Sequence, residues 1–422
     1  MNTLIENIKC LLQPADEPVD CLKGQEMQSL KYIENAWLLI KDGKFADYGR
    51  MENKPSAIAK KIDATGRYVM PSFVDSHTHI VFAASRENEF EMRINGKSYE
   101  EIAAEGGGIL NSAKRLQQTP EDELLKSARK RLYEVISMGT GAIEIKSGYG
   151  LTPESELKML RVIKELKKES PIPIKATFLG AHALPVEYRD NREEYVRQVI
   201  EDMIPQVEKE ELAEYIDVFC DRGFFTKEET DKILKAGIAA GMKPKVHANE
   251  LDFTGGIQVG VANNAVSVDH LECTGDEEIE VLKNSATMPC ILPATAFFLN
   301  IEYPPARKMI NAGLPVALAS DYNPGSCPSG NMNFILSLAS VKLRMTPEEA
   351  INAVTVNGAY AIEMQNKAGV IKKGNPANLI MTEPISSLAY LPYSFGNNNI
   401  ETVMINGKIY HGPEEVKKDK VK

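Results

Sequence analysis

From residue 68 to residue 319, short apolar runs alternate with longer segments whose apolar positions recur every three or four residues. That alternation is the mark of strands buried on both faces, each followed by an amphipathic helix. Eight runs stand out: Tyr68–Val74, Gly141–Ile145, Ile174–Leu179, Ile216–Phe219, Pro244–Ala248, Ala265–Val268, Met288–Leu292 and Val316–Ala319. Between them Pro120–Met138, Pro153–Lys168, Lys227–Gly241 and Pro304–Gly313 carry helical periodicity, often with Pro opening and Gly closing the segment, as the backbone limits of those residues favour. Repeated βα units predict a parallel sheet of the α/β class, and eight of them predict a (β/α)8 TIM barrel. A doubly wound sheet is the alternative arrangement of the same units.

The two ends of the chain read differently. Ala36–Ile40, the turn pair Asp42-Gly43 and Phe45–Tyr48 have hairpin patterning, and so do Asn378–Met381 and Val403–Ile405, which turns at Asn406-Gly407. Two β-rich ends therefore flank the repeating region.

Composition narrows the function classes. The 422 residues are 43% hydrophobic and 26% charged, enough to bury a large core. Lys plus Arg number 49 against 59 Asp plus Glu, a net charge of −10, which lacks the basic footprint of a nucleic-acid or anionic-membrane binder. No run reaches the ~20 apolar residues of a membrane span. The start Met1–Lys9 has no basic-then-apolar leader, so cytoplasmic residence is expected. Cys10, Cys21, Cys220, Cys273, Cys290 and Cys327 fall without CxxC spacing, which predicts reduced thiols rather than a zinc ribbon or redox pair. Phosphate-loop, dinucleotide, zincin and nucleophile-elbow motifs are absent from the sequence.

Five of the six histidines, His77, His79, His182, His247 and His270, fall at or just past the C-terminal end of a predicted strand; His411 is the exception. In a barrel those ends meet around one mouth, so distant residues can share a site. His77 and His79, two apart in an extended segment, face the same side, as two ligands of one ion must. Asp321 closes the run Val316–Asp321, where a turn or cap role is its plainer use.

The segment Pro71–His79, His247 within Lys245–Glu250, His270 within Val268–Glu272, and Asp321 together resemble the amidohydrolase superfamily of metal-dependent barrel hydrolases, over essentially the whole chain. Closer markers are Arg86 in Ser85–Phe90, Gly106-Gly107-Gly108-Ile109, Glu144–Gly150, Phe178–His182 and Asp321–Ser326. They are similar to the branch of histidine degradation that hydrolyses the ring amide of 4-imidazolone-5-propanoate to N-formimidoyl-L-glutamate. The resemblance implies a barrel domain at 68–362 and one discontinuous β-sandwich domain built from 1–67 and 363–422. It implies His77, His79, His247 and Asp321 as ligands of one divalent ion, Zn²⁺ or Fe²⁺, both of which accept imidazole and carboxylate. Superfamily members with two ions bridge them by a carboxylated lysine at the end of the fourth strand, but Val218-Phe219-Cys220-Asp221 offers none. Lys146, after the second strand, is the competing candidate, with a structural or substrate-binding role as its plainer use.

The resemblance also implies catalytic roles for Asp321, His270 and Glu250. Asp321 would take a proton from water, His270 would orient the water or stabilise an oxyanion, and Glu250 would serve a ring nitrogen or orient a histidine. Substrate contacts fall to Arg86, Tyr149, His182, Glu250, Asn323, Gly325 and Ser326. A propanoate tail needs a cation, and an arginine fork gives it planar bidentate recognition. Without the resemblance, Arg86 reads as a surface ion pair and Tyr149 as a packing residue. Gly106-Gly107-Gly108 reads as a flexible turn or a backbone nest for an anion. A homodimer acting on a small molecule, with neither nucleic acid nor membrane as partner, completes the expectation. The alternatives are another amidohydrolase, such as a cyclic-amide hydrolase or nucleobase deaminase, and a catalytically silent barrel used as a scaffold.

Overall fold

Residues 2–56, 60–97, 101 and 107–412 are described by this computed structural model. The chain enters through β1 (Asn2–Leu12), β2 (Tyr32–Lys41), β3 (Lys44–Arg50), β4 (Lys60–Asp63) and β5 (Tyr68–Pro71). It continues through β6 (Phe73–Asp75), β7 (Thr140–Lys146), β8 (Ile174–Ala181), β9 (Tyr215–Cys220), β10 (Lys243–Ala248), β11 (Ser267–His270), β12 (Met288–Ile291) and β13 (Ala317–Leu318). It ends in β14 (Leu379–Thr382), β15 (Ile400–Ile405) and β16 (Lys408–His411).

Strands β6 to β13 pair in chain order, all parallel. The two edges of this sheet meet at the top, where Asp321 N–H donates to His77 C=O at 3.0 Å and His79 N–H to Tyr322 C=O at 2.9 Å. Beneath them Asp75 accepts from the Ser320 N–H at 3.0 Å and its hydroxyl at 2.6 Å. The predicted TIM barrel is thereby formed, and the last strand's end is stitched to the first. Helices fill the crossovers as expected: Glu121–Ser137, Pro153–Glu169 and Lys227–Ala239 lie on the predicted segments. Pro153 sits in the first turn of its helix, and the Thr152 hydroxyl accepts from Ser155 N–H as N-cap. The helix expected at Pro304–Gly313 is confined to Ala306–Asn311. No helix among the described residues is long and apolar enough to cross a membrane.

One predicted strand divides. Within Tyr68–Val74, β5 pairs with β1 and β14 in the other sheet, whereas β6 pairs with β7 in the barrel. The break falls at Ser72, whose N–H donates to Asn378 C=O at 3.2 Å while Phe73 N–H donates to Gly139 C=O at 2.9 Å. An unbroken apolar run satisfies either sheet, so the pattern carries no mark of the change.

The other sheet runs β16-β15-β14-β5-β1-β2-β3, with β4 against β1. Both chain ends contribute to it, and Arg67 crosses from the first part to Glu401 in the last through two bonds of 2.6 and 2.9 Å. Its core gathers Ile5, Ile8, Leu11, Leu38, Val69, Leu379 and Met404.

Candidate active site

The barrel's C-terminal mouth collects the histidines because each leaves its strand at the same level. His77 Nε2 lies 3.2 Å from His79 Nε2, which lies 3.4 Å from His247 Nε2. Asp321 Oδ1 stands 3.5 Å from the first and 3.6 Å from the second of these nitrogens. A tetrahedral ion with bonds of about 2.0–2.1 Å separates its donors by about 3.3–3.4 Å, close to these four separations; His77, His79 and His247 bring their donor atoms within 4.8 Å of one another, and so do His77, His270 and Asp321. The opposite ring nitrogens face carboxylates. His77 Nδ1 lies 2.6 Å from Asp269 Oδ2, and His247 Nδ1 lies 3.0 Å from Asp217 Oδ2. The His77 Nδ1 therefore carries the proton and its Nε2 presents a lone pair to the others, while His247 Nδ1 lies beside the Asp217 carboxylate without hydrogen-bond alignment. Lone pairs brought this close repel one another until a cation lies between them. The donor set is that of a zinc-class ion.

Burial sets the charge states. It drives the pKa of His77, His79 and His270 well below the usual imidazole value and that of His182 down to about 3, which keeps these rings neutral. Burial also raises Asp321 to about 6, against hydrogen bonds from the Thr295 hydroxyl (2.6 Å) and the Ser326 hydroxyl (3.2 Å). Glu250 is pushed up by burial and then by Asp321. Its Oε2 lies 3.5 Å from His270 Nδ1. Several mouth residues hold left-handed backbone, with φ of 83° at His270, 74° at Leu271, 57° at Asp321 and 54° at Asn249. Non-glycine residues bear such strain where a turn must aim a side chain.

The other sequence-derived positions ring this centre. Tyr149 meets His182 at 5.4 Å and His79 at 5.9 Å between ring centroids. His182 stacks on His79 at 5.3 Å, its Nδ1 bonded to Gly148 C=O at 3.0 Å. Arg86 is paired with Glu89, Nε to Oε2 at 2.8 Å. It also packs so close to Gly325 that a Cβ there would lie 2.3 Å from Nη1, so a larger residue there would displace the guanidinium. The Asn323 amide is spent on its own loop: it donates to Asp321 C=O at 2.7 Å and accepts from the N–H groups of Gly325 and Ser326 at 2.7 and 2.8 Å. Of the triple glycine, Gly106 lies outside the described residues, and Gly108 N–H donates to Glu89 Oε1 at 3.1 Å. Cys327 is buried, and its thiol donates to Ser329 C=O at 3.2 Å. All six cysteines are free.

Several residues at this centre were not singled out from sequence. Asp217 and Asp269 hold the imidazoles, Thr295 holds Asp321, and Glu272 places Oε2 3.9 Å from His270 Nδ1. Both Glu272 carboxylate oxygens are buried without a hydrogen-bond partner among the described residues. Lys146, weighed as a bridging ligand, has its ammonium surrounded by Glu144, Asp217 and Asp269 at 2.6, 2.8 and 3.5 Å. The signal was available: Glu144, Asp217, Lys245 and Asp269 are charges inside apolar strand runs, and a charged residue fully buried there must be paired.

Known proteins resemble this chain in sequence and in fold. The model of the amidohydrolase family matches residues 68–410. An imidazolonepropionase of Flavobacterium johnsoniae is 56% identical, covering 97% of this chain and 100% of its own length. One from Christiangramia forsetii is 55% identical over the same shares. Another, from Thermoanaerobacter pseudethanolicus, is 41% identical over 95% of this chain and 96% of its own. Among solved structures, an atrazine chlorohydrolase from Arthrobacter aurescens TC1 complexed with zinc aligns with a TM-score of 0.71 at 15% identity, over 99% of this chain and 98% of its own. An adenosine deaminase from Xanthomonas campestris with bound zinc gives 0.68 at 14% identity, over 97% and 93%. At those identities the structures speak for the fold alone.

Proposed function

We infer the reaction from membership: this chain belongs to the amidohydrolase family and, at 41–56% identity over nearly its whole length, to the imidazolonepropionases within it. It hydrolyses the ring amide of 4-imidazolone-5-propanoate to N-formimidoyl-L-glutamate in histidine degradation. The carrying observation is the convergence of three imidazole rings in the barrel mouth, with one carboxylate oxygen 3.5 and 3.6 Å from the Nε2 atoms of two of them.

His77, His79, His247 and Asp321 are our proposed ligands for one divalent ion, Zn²⁺ or Fe²⁺. A single ion is favoured because the ammonium of Lys146 is occupied by three carboxylates. Bound there, such an ion supplies Lewis acidity toward a carbonyl and toward water. The protein's own groups do the rest. Asp321 accepts a proton from the attacking water; its raised pKa of about 6 suits a base that must later return the proton. His270, neutral and aimed across the mouth, orients that water or donates to the developing oxyanion. As oxygen adds to the ring carbonyl carbon and its bond to the ring nitrogen breaks, Glu250 protonates that nitrogen, a role its raised pKa supports. Arg86 and Tyr149 bind the propanoate, and His182, Glu250, Asn323, Gly325 and Ser326 shape the ring pocket, the loop of Asn323 acting through backbone it holds in place.

Our proposal extends to a catalytic unit at 68–362, a discontinuous β-domain of 1–67 with 363–422, cytoplasmic residence and a homodimer. Light scattering on the purified chain tests the dimer. The function is tested by offering purified protein 4-imidazolone-5-propanoate, the same ring without its propanoate, and cytosine. Conversion of the first to N-formimidoyl-L-glutamate, with little turnover of the others, is expected. Preference for cytosine would make the chain a deaminase.

A further inference from the structure

We infer that Lys146 is a positioning residue of the metal centre, its one ammonium bridging the carboxylate oxygens that orient two of the metal-binding imidazoles. The inference rests on the proposed ligand set. Lys146 Nζ lies 2.8 Å from Asp217 Oδ2 and 3.5 Å from Asp269 Oδ2. Those same two oxygens lie 3.0 Å from His247 Nδ1 and 2.6 Å from His77 Nδ1, the second a hydrogen bond. The third direction of the ammonium goes to Glu144 Oε1 at 2.6 Å. Two of its three hydrogens are donated to Glu144 and Asp217, and Asp269 stands at ion-pair distance on the remaining side. Lys146, Glu144 and the carboxyl groups of Asp217 and Asp269 have no exposed side-chain surface.

Two buried carboxylates that share one ammonium repel each other without it; the outer oxygen of Asp217 is held by the His247 backbone N–H at 3.1 Å, which leaves the inner oxygens to Lys146. Lys146 meets both from one buried point. A shift of either carboxylate would swing its imidazole and open the spacing of the Nε2 atoms. Ser267 supports Asp269 from the other side, its hydroxyl donating to Oδ1 at 2.6 Å. Lys245 supplies the contrast. It is equally buried, but it meets the other Glu144 oxygen and the carbonyls of Ser76 and Ala361 at 3.2 and 3.3 Å. If buried lysines served only to balance buried charge, the two would be equivalent.

The test compares Lys146→Met and Lys245→Met in the full chain, stripped of metal. Zinc affinity is read by competition with a chromophoric chelator, and coordination by the visible absorption of the Co²⁺-loaded protein. Partners of this kind are worth about 10–100-fold in metal affinity. Lys146→Met should lose that much and change the cobalt spectrum, whereas Lys245→Met should keep affinity and spectrum near the parent's. Equal losses in the two variants, or parent-like binding by Lys146→Met, overturn the inference. If Lys146→Met does not fold, the double variant Lys146→Met/Glu144→Gln removes one buried charge of each sign; weakened binding supports the inference and parent-like binding overturns it. A parent chain that binds no zinc overturns the ligand set itself, and this inference with it.

Discussion

Asp321 is where proton and metal compete most directly. In the metal-free protein its carboxyl has a pKa of about 6, raised above the ordinary carboxylate value by burial, while His77 and His79 are neutral well below that pH. Binding an ion therefore releases the Asp321 proton only at pH below about 6, and zinc affinity should fall by about tenfold per pH unit there, staying level with respect to this group above it. Chelator competition from pH 5 to pH 8 checks this; an affinity flat across pH 6 would show that Asp321 is not a ligand. Arg86 makes the second residue-level prediction. Lysine in its place keeps the charge and loses the fork, and hydrogen bonds to charged groups are worth about 1.5–3 kcal/mol. Arg86→Lys should cut kcat/KM for the propanoate substrate by about 10–100-fold, chiefly through KM, with much less effect on the ring lacking the tail. The His-x-His pair and Asp321 were visible in the sequence because they fall at the ends of apolar strand runs, and Arg86 only through the family resemblance. Asp217 and Asp269 were legible only as charges inside apolar runs that had to be paired; which imidazole each one meets was not.

Among the elements, the helix Pro153–Glu169 shows how a loop is aimed. Its cap, Thr152-Pro153, is legible from residue types alone. Glu156 looks like an ordinary first-turn acid on a helix N-terminus, yet it is buried and accepts from the N–H groups of Gly148, Gly150 and Leu151 at 3.0, 2.6 and 2.9 Å. The loop that carries Tyr149 thus closes over a carboxylate, which no local pattern reveals. Glutamine there replaces one acceptor oxygen by a donor and faces an N–H with an NH₂. Glu156→Gln should cost about 1–3 kcal/mol of stability and raise KM more than it lowers kcat, since Tyr149 shifts while the metal donors do not. Denaturant unfolding and steady-state kinetics measure both. An unchanged KM would separate this loop from substrate binding.

In the molecule as a whole, barrel and mixed sheet are joined where β5 passes into β6. Gly141, at the base of β7, faces this crossing, and a Cβ on it would lie 1.7 Å from Ser72 Oγ and 2.4 Å from Ser72 Cβ. Gly141→Ala should therefore overpack the junction, lower stability by about 1–3 kcal/mol and lower the thermal midpoint, with kcat of the folded fraction preserved. Ser72→Gly should restore much of the loss. No recovery in the double variant would place the strain elsewhere. The barrel was readable from eight βα repeats, and the β-rich ends from their hairpin turns. The division of Tyr68–Val74 was not, since both sheets bury an apolar strand equally well. The measurement that tests the whole account is turnover of freshly prepared 4-imidazolone-5-propanoate by metal-stripped protein, by the same sample restored with Zn²⁺ or Fe²⁺, and by Asp321→Ala treated alike. The account predicts activity lost on stripping, regained with metal, and absent from Asp321→Ala; ring opening by the stripped protein, or by Asp321→Ala at the parent's rate, would contradict it.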